Sequence, residues 1–164
     1  MASLAFVFPG QGAQQVGMGK DLYDNFESAR IVFQQADSAA GYNLSQLCFE
    51  GPQDKLNQTE FAQPALLTSS VAASEVLKEH GIEAAIVAGL SLGEYSALVY
   101  AQALSLQAAV PLVQLRARLM QAAVSAATWS FMSRAPRPLM YPSTRSPDQG
   151  SRDHSSGLAG TVST

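Results

Sequence analysis

One short segment constrains this chain more than any other: residues 89–93 read GLSLG and separate an apolar run, 84–88, from a helical pattern over 92–103. The run is short and continuous, which is typical of a central strand covered on both faces by helices. Glycines on either side of Ser91 permit a cramped strand-to-helix turn that projects the serine hydroxyl above the sheet. In this setting the pattern G-x-S-x-G predicts a nucleophilic serine; the alternative is a tight turn in which Ser91 only caps the helix.

The other segments predict strands that alternate with helices. Residues 4–8 form a short apolar strand that ends in a glycine-containing turn at 9–12. Helices are expected at 21–39, 44–49, 54–56, 64–80 and 105–124. Ser105 can cap the last helix, whereas Pro111 is expected to kink its first turns or to move its start downstream. Together these segments indicate an α/β fold with a mainly parallel sheet.

The composition changes after Val124. Residues 1–124 carry 6 basic and 11 acidic side chains, whereas residues 125–164 carry 4 basic and 2 acidic ones. The second segment holds nine Ser, four Pro, four Thr and four Arg, and it shows neither a helical nor a strand period. We therefore predict one packed domain over 1–124 and a tail without packed structure over 125–164.

Charge and composition exclude several classes of partner. The net charge is −3, so no basic field is available for nucleic acid or for an anionic membrane surface. No apolar stretch is long enough to span a bilayer, and the first residues do not have the pattern of a signal peptide. The single cysteine, Cys48, cannot form an internal disulfide, so we expect a cytoplasmic location. The sequence predicts no metal site and no cofactor.

Four separated segments resemble the landmarks of the malonyl-CoA:acyl carrier protein transacylase family in order and spacing. They are residues 8–12 (FPGQG), 63–65 (QPA), 89–98 (GLSLGEYSAL) and 115–120 (LRARLM). The resemblance covers residues 1 to about 124 and implies the N-terminal part of an α/β-hydrolase-like acyltransferase core, with the ferredoxin-like subdomain missing and an unrelated tail. A parallel sheet without its later strands would expose apolar surface, so we expect poor solubility or dependence on a partner.

The resemblance also implies roles for individual residues. Ser91 would take the malonyl group from malonyl-CoA, the substrate, and pass it to the phosphopantetheine thiol of acyl carrier protein in fatty acid biosynthesis. Backbone N–H groups of Gln11 and Leu92 would form the oxyanion hole. Arg116 would clamp the free malonyl carboxylate, and Gln63 would line the pocket. Without the resemblance, Arg116 and Arg118 would be interpreted as solvated charges on an amphipathic helix.

The sequence departs from the family in the base that a serine nucleophile needs. The family's base is a histidine further along the chain, and only His80 and His154 are present here. His80 lies at a predicted helix end, where its charge favours the helix dipole, and the surroundings of His154 do not match the family. Leu90 also stands where the family usually has histidine. The rival hypotheses are therefore a serine hydrolase or esterase, and an inactive fragment that only binds coenzyme A or carrier protein.

Overall fold

The computed structural model describes the backbone of residues 4–134 and the side chains of residues 4–124. A compact unit spans Met1–Ser133. Its elements in chain order are β1 (Ala5–Phe8), α1 (Lys20–Asn25), α2 (Glu27–Ala40), α3 (Leu44–Glu50), α4 (Gln53–Leu56), α5 (Thr59–Glu79), β2 (Ile86–Gly89), α6 (Gly93–Tyr100) and α7 (Leu106–Arg134). This succession confirms the predicted α/β class.

The two strands form a parallel pair, as the sequence predicted. Ala5 lies opposite Ile86, and Phe8 lies opposite Gly89, so both strands end at the same edge of the sheet. The turn after β1 and the turn after β2 are therefore neighbours. This register brings the segment 9–12 beside the GLSLG segment.

The prediction that β2 is covered on both faces is wrong for the described part of the chain. Ile86 is 66% exposed, and Val7 on the neighbouring strand is 76% exposed. Helix α6 packs on both strands, whereas α5 and α2 pack chiefly on each other. The described helices therefore leave part of the strand surface uncovered. The exposed strand surface agrees with the expectation of uncovered apolar area, and poor solubility stays a prediction.

The hydrophobic core lies between α2 and α5. Ala29, Val32, Phe33 and Ala36 recur at helical spacing on one face of α2 and are buried. Helix α5 packs against this face and also against α3, α4 and α6, which buries most of its circumference. A polar residue on α5 can therefore be fully enclosed, and Gln63 is.

Two helices differ from the sequence-based bounds for local reasons. The helix expected over 21–39 is interrupted at Phe26, whose extended backbone (φ −125°, ψ 130°) separates α1 from α2. Helix α5 begins at Thr59, ahead of Pro64, which lies within it. Pro64 is the sixth residue of this helix, so it removes the N–H that would otherwise bond to the Glu60 carbonyl, and the helix nevertheless continues through it.

Helix α7 begins close to its predicted start and continues further than predicted. The Ser105 hydroxyl accepts a hydrogen bond from the Ala108 N–H at 3.3 Å, as a cap does. Pro111 lies inside the helix and does not move its start downstream, so that part of the prediction is wrong. The helix runs to Arg134, so the predicted domain end at Val124 falls inside it, and residues 135–164 lie outside the described residues.

Cys48 is fully buried on α3. Burial raises the pKa of its thiol from 9.0 to about 12, and the nearby charge of Asp37 acts in the same direction. Since the folded-state pKa lies above the unfolded one, this thiol favours folding below pH 9.0 and the benefit is lost as the pH rises towards 12.

We therefore expect native Cys48 to react with iodoacetamide roughly 100-fold or more slowly than the unfolded chain at about pH 8, because the thiolate is the reactive form. Labelling followed by mass spectrometry, with and without urea, measures both rates. Equal rates in the two conditions would contradict the buried position.

No helix among the described residues is both long enough and apolar enough to cross a membrane. No three His, Cys, Asp or Glu side chains in this part of the chain come close enough together to hold a metal ion.

Candidate active site

Ser91 occupies a strained position between β2 and α6. Its φ angle is 53°, in the left-handed region that residues other than glycine rarely adopt. Strand β2 ends at Gly89 and α6 begins at Gly93, so the whole change of direction is made within the residues between them. Such strain is typical of functional turns, and here it leaves the serine exposed at the C-terminal edge of the strands.

The two glycines of the segment are required by close packing. A Cβ atom on Gly89 would overlap the backbone of Gly93, and a Cβ on Gly93 would overlap the carbonyl of Phe8. Neither glycine has a positive φ angle, so space and not conformation explains both. A Cβ on Gly10 would lie 3.0 Å from the Leu90 carbonyl oxygen, which shows how closely the turn after β1 approaches the serine turn.

The backbone around Ser91 presents N–H groups at the start of α6. Gly93, Glu94 and Tyr95 donate to the carbonyls of Leu90, Ser91 and Leu92, at 2.9, 3.3 and 3.0 Å, and the Leu92 N–H is not among these donors. The Gln11 side-chain amide donates to Thr59 Oγ1 at 3.1 Å, which fixes the turn after β1 to the first residue of α5. The oxyanion-hole role of the Gln11 and Leu92 N–H groups stays a prediction.

Arg116 extends from α7 to Ser91. One terminal nitrogen, Nη2, donates to Ser91 Oγ at 2.8 Å, and the other, Nη1, donates to Gln63 Oε1 at 2.7 Å. Three residues that the sequence selected from three separate helices and turns thus form one chain of hydrogen bonds. The alternative that Arg116 is an ordinary solvated charge does not fit this half-buried position.

Gln63 does not lie where the sequence analysis expected it. Its side chain is fully buried, with 0% of its surface exposed, so it does not line an open pocket. Its Oε1 accepts from Arg116, and its Nε2 donates to Met120 Sδ at 3.5 Å. Gln63 therefore contacts the guanidinium from the protein interior.

Tyr95 is a part of the site that the sequence analysis missed. Its ring centroid lies 5.6 Å from Arg116 Cζ, within the range of a cation–π contact. The available signal was its place in the first turn of α6, close in sequence to Ser91.

Arg116 carries a charge that no described carboxylate neutralises by an ion pair. The ion pairs formed within residues 4–124 are Lys20–Asp24, Lys78–Glu75 and Arg118–Glu60. Arg118 is thus an exposed surface charge, as predicted, and Glu94 is an exposed acid in the first turn of α6. A guanidinium without a carboxylate partner is suited to binding an anionic group, and this one lies beside Ser91.

The described histidine has a structural position. His80 follows the last residue of α5, its Nδ1 lies 2.8 Å from the Val76 carbonyl oxygen, and its ring packs on Phe26. These contacts fit the helix-end role and not that of a base for Ser91. His154 lies outside the described residues. Leu90, which precedes Ser91, is 72% exposed.

Comparison with known proteins identifies the fold and its relatives. The profile of a family described as "Acyl transferase domain" matches residues 5–133. The chain is 51% identical over 126 residues to the malonyl CoA-acyl carrier protein transacylase of Bacillus subtilis (strain 168), covering 77% of this chain and 40% of the relative. It is 52% identical over 121 residues to a probable mitochondrial malonyl-CoA-acyl carrier protein transacylase of Drosophila melanogaster, covering 71% and 32%. The compartment of this chain therefore stays a prediction.

Solved structures agree. The malonyl CoA-acyl carrier protein transacylase of Clostridium perfringens superposes with a TM-score of 0.71 at 47% identity, covering 73% of this chain and 38% of that one. A malonyl-transacylase in complex with a type II polyketide synthase acyl-carrier protein gives 0.71 at 46% identity, covering 74% and 40%. The chain thus spans about 40% of the length of the Bacillus subtilis relative.

Proposed function

Because this chain belongs to the acyl transferase domain family, we propose that it carries the nucleophile and the carboxylate-binding half of a malonyltransferase site. The substrate is malonyl-CoA, and the acceptor is the phosphopantetheine thiol of acyl carrier protein. The observation that carries the proposal is the guanidinium of Arg116, which contacts Ser91 Oγ at 2.8 Å and has no carboxylate paired to it within the described residues.

The proposed reaction proceeds through an ester on Ser91. Ser91 Oγ attacks the thioester carbonyl of malonyl-CoA, the carbon–sulfur bond breaks, and the hydroxyl proton ends on the released coenzyme A thiol. The carrier-protein thiol then attacks the seryl ester and restores the serine hydroxyl. In both steps negative charge develops on the carbonyl oxygen, and the N–H groups of Leu92 and Gln11 are the proposed donors to it.

Arg116 supplies the selectivity for an acyl group with a free carboxylate. A planar guanidinium can donate two parallel hydrogen bonds to a carboxylate, and it keeps its charge at every physiological pH. An acetyl group offers nothing to such a site. Malonyl-CoA is therefore the preferred donor in this proposal, and a hydrolase without acyl selectivity is disfavoured.

The names of the relatives support both partners. Those relatives are named for malonyl-CoA and acyl carrier protein, and one neighbouring structure contains an acyl-carrier protein bound to its transacylase. By this similarity we place the proposed transfer in fatty acid biosynthesis.

The rate of ester formation depends on a group that can accept the Ser91 hydroxyl proton. Among the described residues, the hydrogen-bond partner of Ser91 Oγ is a cation, which cannot accept its proton, and His80 is bonded to Val76. We therefore propose that the ester forms slowly, since oriented donors and binding alone still give some catalysis in serine enzymes that lack a base. The same observation favours a second candidate function, binding of coenzyme A or carrier protein without turnover.

Intact-mass spectrometry after incubation with malonyl-CoA or acetyl-CoA tests the proposal. We expect a slow gain of one malonyl group, little acetyl gain, and loss of the adduct when carrier protein bearing phosphopantetheine is added. Release of free malonate without the carrier protein would indicate a hydrolase. Binding of malonyl-CoA with no adduct would leave the binding function, and neither binding nor adduct would refute the proposal.

A further inference from the structure

We propose that Gln63 and Tyr95 are positioning residues that hold the Arg116 guanidinium for a carboxylate without neutralising its charge. The inference rests on the proposed function and deepens it, because it names the groups that make the site selective for an acidic acyl donor. Neither side chain is expected to touch the substrate. Each acts through Arg116.

Gln63 fixes the guanidinium within its own plane. Its side-chain oxygen accepts from Nη1 at 2.7 Å while Nη2 reaches Ser91 Oγ at 2.8 Å, so the two terminal nitrogens are anchored to different elements. The amide cannot reverse freely, because its NH₂ group donates to Met120 Sδ at 3.5 Å and would otherwise face the cationic guanidinium. Full burial on α5 removes competition from water at this contact.

The proposed role of Gln63 requires that its side chain is uncharged. A carboxylate at position 63 would form a buried ion pair with Arg116, and the attraction would be strong because the surroundings are of low dielectric. The guanidinium would then be compensated before any substrate arrived. An amide oxygen orients the same N–H group and leaves the positive charge available.

Tyr95 contacts the guanidinium through its aromatic ring, over which Arg116 Cζ lies. The ring lies 5.6 Å from Cζ and is itself partly buried against the hydrophobic core, so its position is fixed. A cation–π contact is an attraction to the π electrons of the ring and not a hydrogen bond, so it leaves N–H groups of the guanidinium for a carboxylate. The aromatic ring is also uncharged, so it too leaves the cation uncompensated.

The number of donors is sufficient for this arrangement. A guanidinium has five N–H groups, and Gln63 and Ser91 each accept one hydrogen bond from Arg116. The rest are free to serve a carboxylate close to the nucleophile. We infer that an acyl donor with a carboxylate is bound at this edge while Gln63 and Tyr95 keep the edge directed towards Ser91.

Selectivity in binding is the property that separates positioning from a structural role. Dissociation constants for malonyl-CoA and acetyl-CoA, measured by calorimetry for the full chain, give a ratio that does not depend on turnover. A substitution that only loosens the fold weakens both ligands alike. A substitution that misplaces or neutralises Arg116 weakens malonyl-CoA alone.

Gln63→Glu and Gln63→Met form a matched pair of similar shape. We expect Gln63→Glu to weaken malonyl-CoA binding by about 10- to 100-fold, the effect of losing hydrogen bonds to a charged group, with acetyl-CoA changed by less than about 3-fold. Gln63→Met removes the acceptor without adding charge, so a smaller selective loss is expected. An unchanged malonyl-to-acetyl ratio in a folded Gln63→Glu protein would overturn the inference.

Tyr95 provides a second test in case the buried site does not tolerate a charge. Tyr95→Phe keeps the ring and should retain the wild-type ratio, whereas Tyr95→Leu should lower malonyl preference by about 3- to 10-fold. Equal behaviour of the two variants would refute the role of the ring. If the wild-type chain itself shows no preference for malonyl-CoA, the proposed function fails; a wild-type preference that survives in all four variants overturns only this inference.

Discussion

Replacing Ser91 with alanine is expected to abolish the malonyl adduct completely, because it removes the hydroxyl that the proposed reaction acylates. The substitution removes one oxygen atom. Alanine and serine disfavour a positive φ angle to a similar degree, so the strain at residue 91 stays about the same. The fold should therefore change little. Intact mass after incubation with malonyl-CoA, followed by peptide mapping, measures the effect directly.

Ser38 offers a matched control for this experiment. It is an exposed serine on α2 whose hydroxyl donates to the Gln34 carbonyl oxygen at 3.0 Å, and it lies outside the proposed site. Ser38→Ala should acquire the adduct at the wild-type rate. An adduct that persists in Ser91→Ala would mean that another nucleophile is acylated, and the assignment of Ser91 would fail.

Replacing Arg116 with alanine is expected to reduce malonyl acylation by about 100-fold or more, because two charge-assisted hydrogen bonds contribute at least ~3 kcal/mol together. Acetyl acylation should stay near the wild-type value or rise, since Ser91 Oγ also loses the donor that occupies one of its lone pairs. Rates of adduct formation with malonyl-CoA and acetyl-CoA measure both effects. The malonyl-to-acetyl ratio is the informative quantity.

Arg118 supplies the control, two positions along the same helix. Its Nε pairs with Glu60 at 3.0 Å, and both side chains are largely exposed. Exposed pairs of this kind contribute little, so Arg118→Ala should change either rate by less than about 3-fold. If the two arginine variants behaved alike, Arg116 would be a general surface charge and the carboxylate site would have to be abandoned.

Much of the fold could be predicted from local patterns. The apolar runs before residues 9 and 89 became β1 and β2, and the α/β order followed from them. The break at Phe26 was not predicted, because the helical period continues across it and the local pattern gives no sign of the extended backbone there. The exposure of Ile86 was also missed. An apolar sequence indicates that a strand can be buried, but it does not indicate which other elements cover the strand.

The candidate site was predicted in its members more than in its geometry. Ser91 and Arg116 were identified, and the structure brings them into direct contact. Gln63 was assigned to the pocket surface, yet it is buried behind the guanidinium. Tyr95 was not identified, because an aromatic residue on an amphipathic helix is most often part of the core.

By itself, the sequence determined that a cramped strand-to-helix turn lies at Ser91. The glycine spacing and the strand-to-helix change involve residues that are close in sequence, so a local pattern is enough to predict this turn. Only the tertiary structure decided what surrounds the serine. The partners of Arg116 come from α5 and α6, which are distant in sequence, and their neutral contacts exist because helix packing places Gln63 and Tyr95 around one cation.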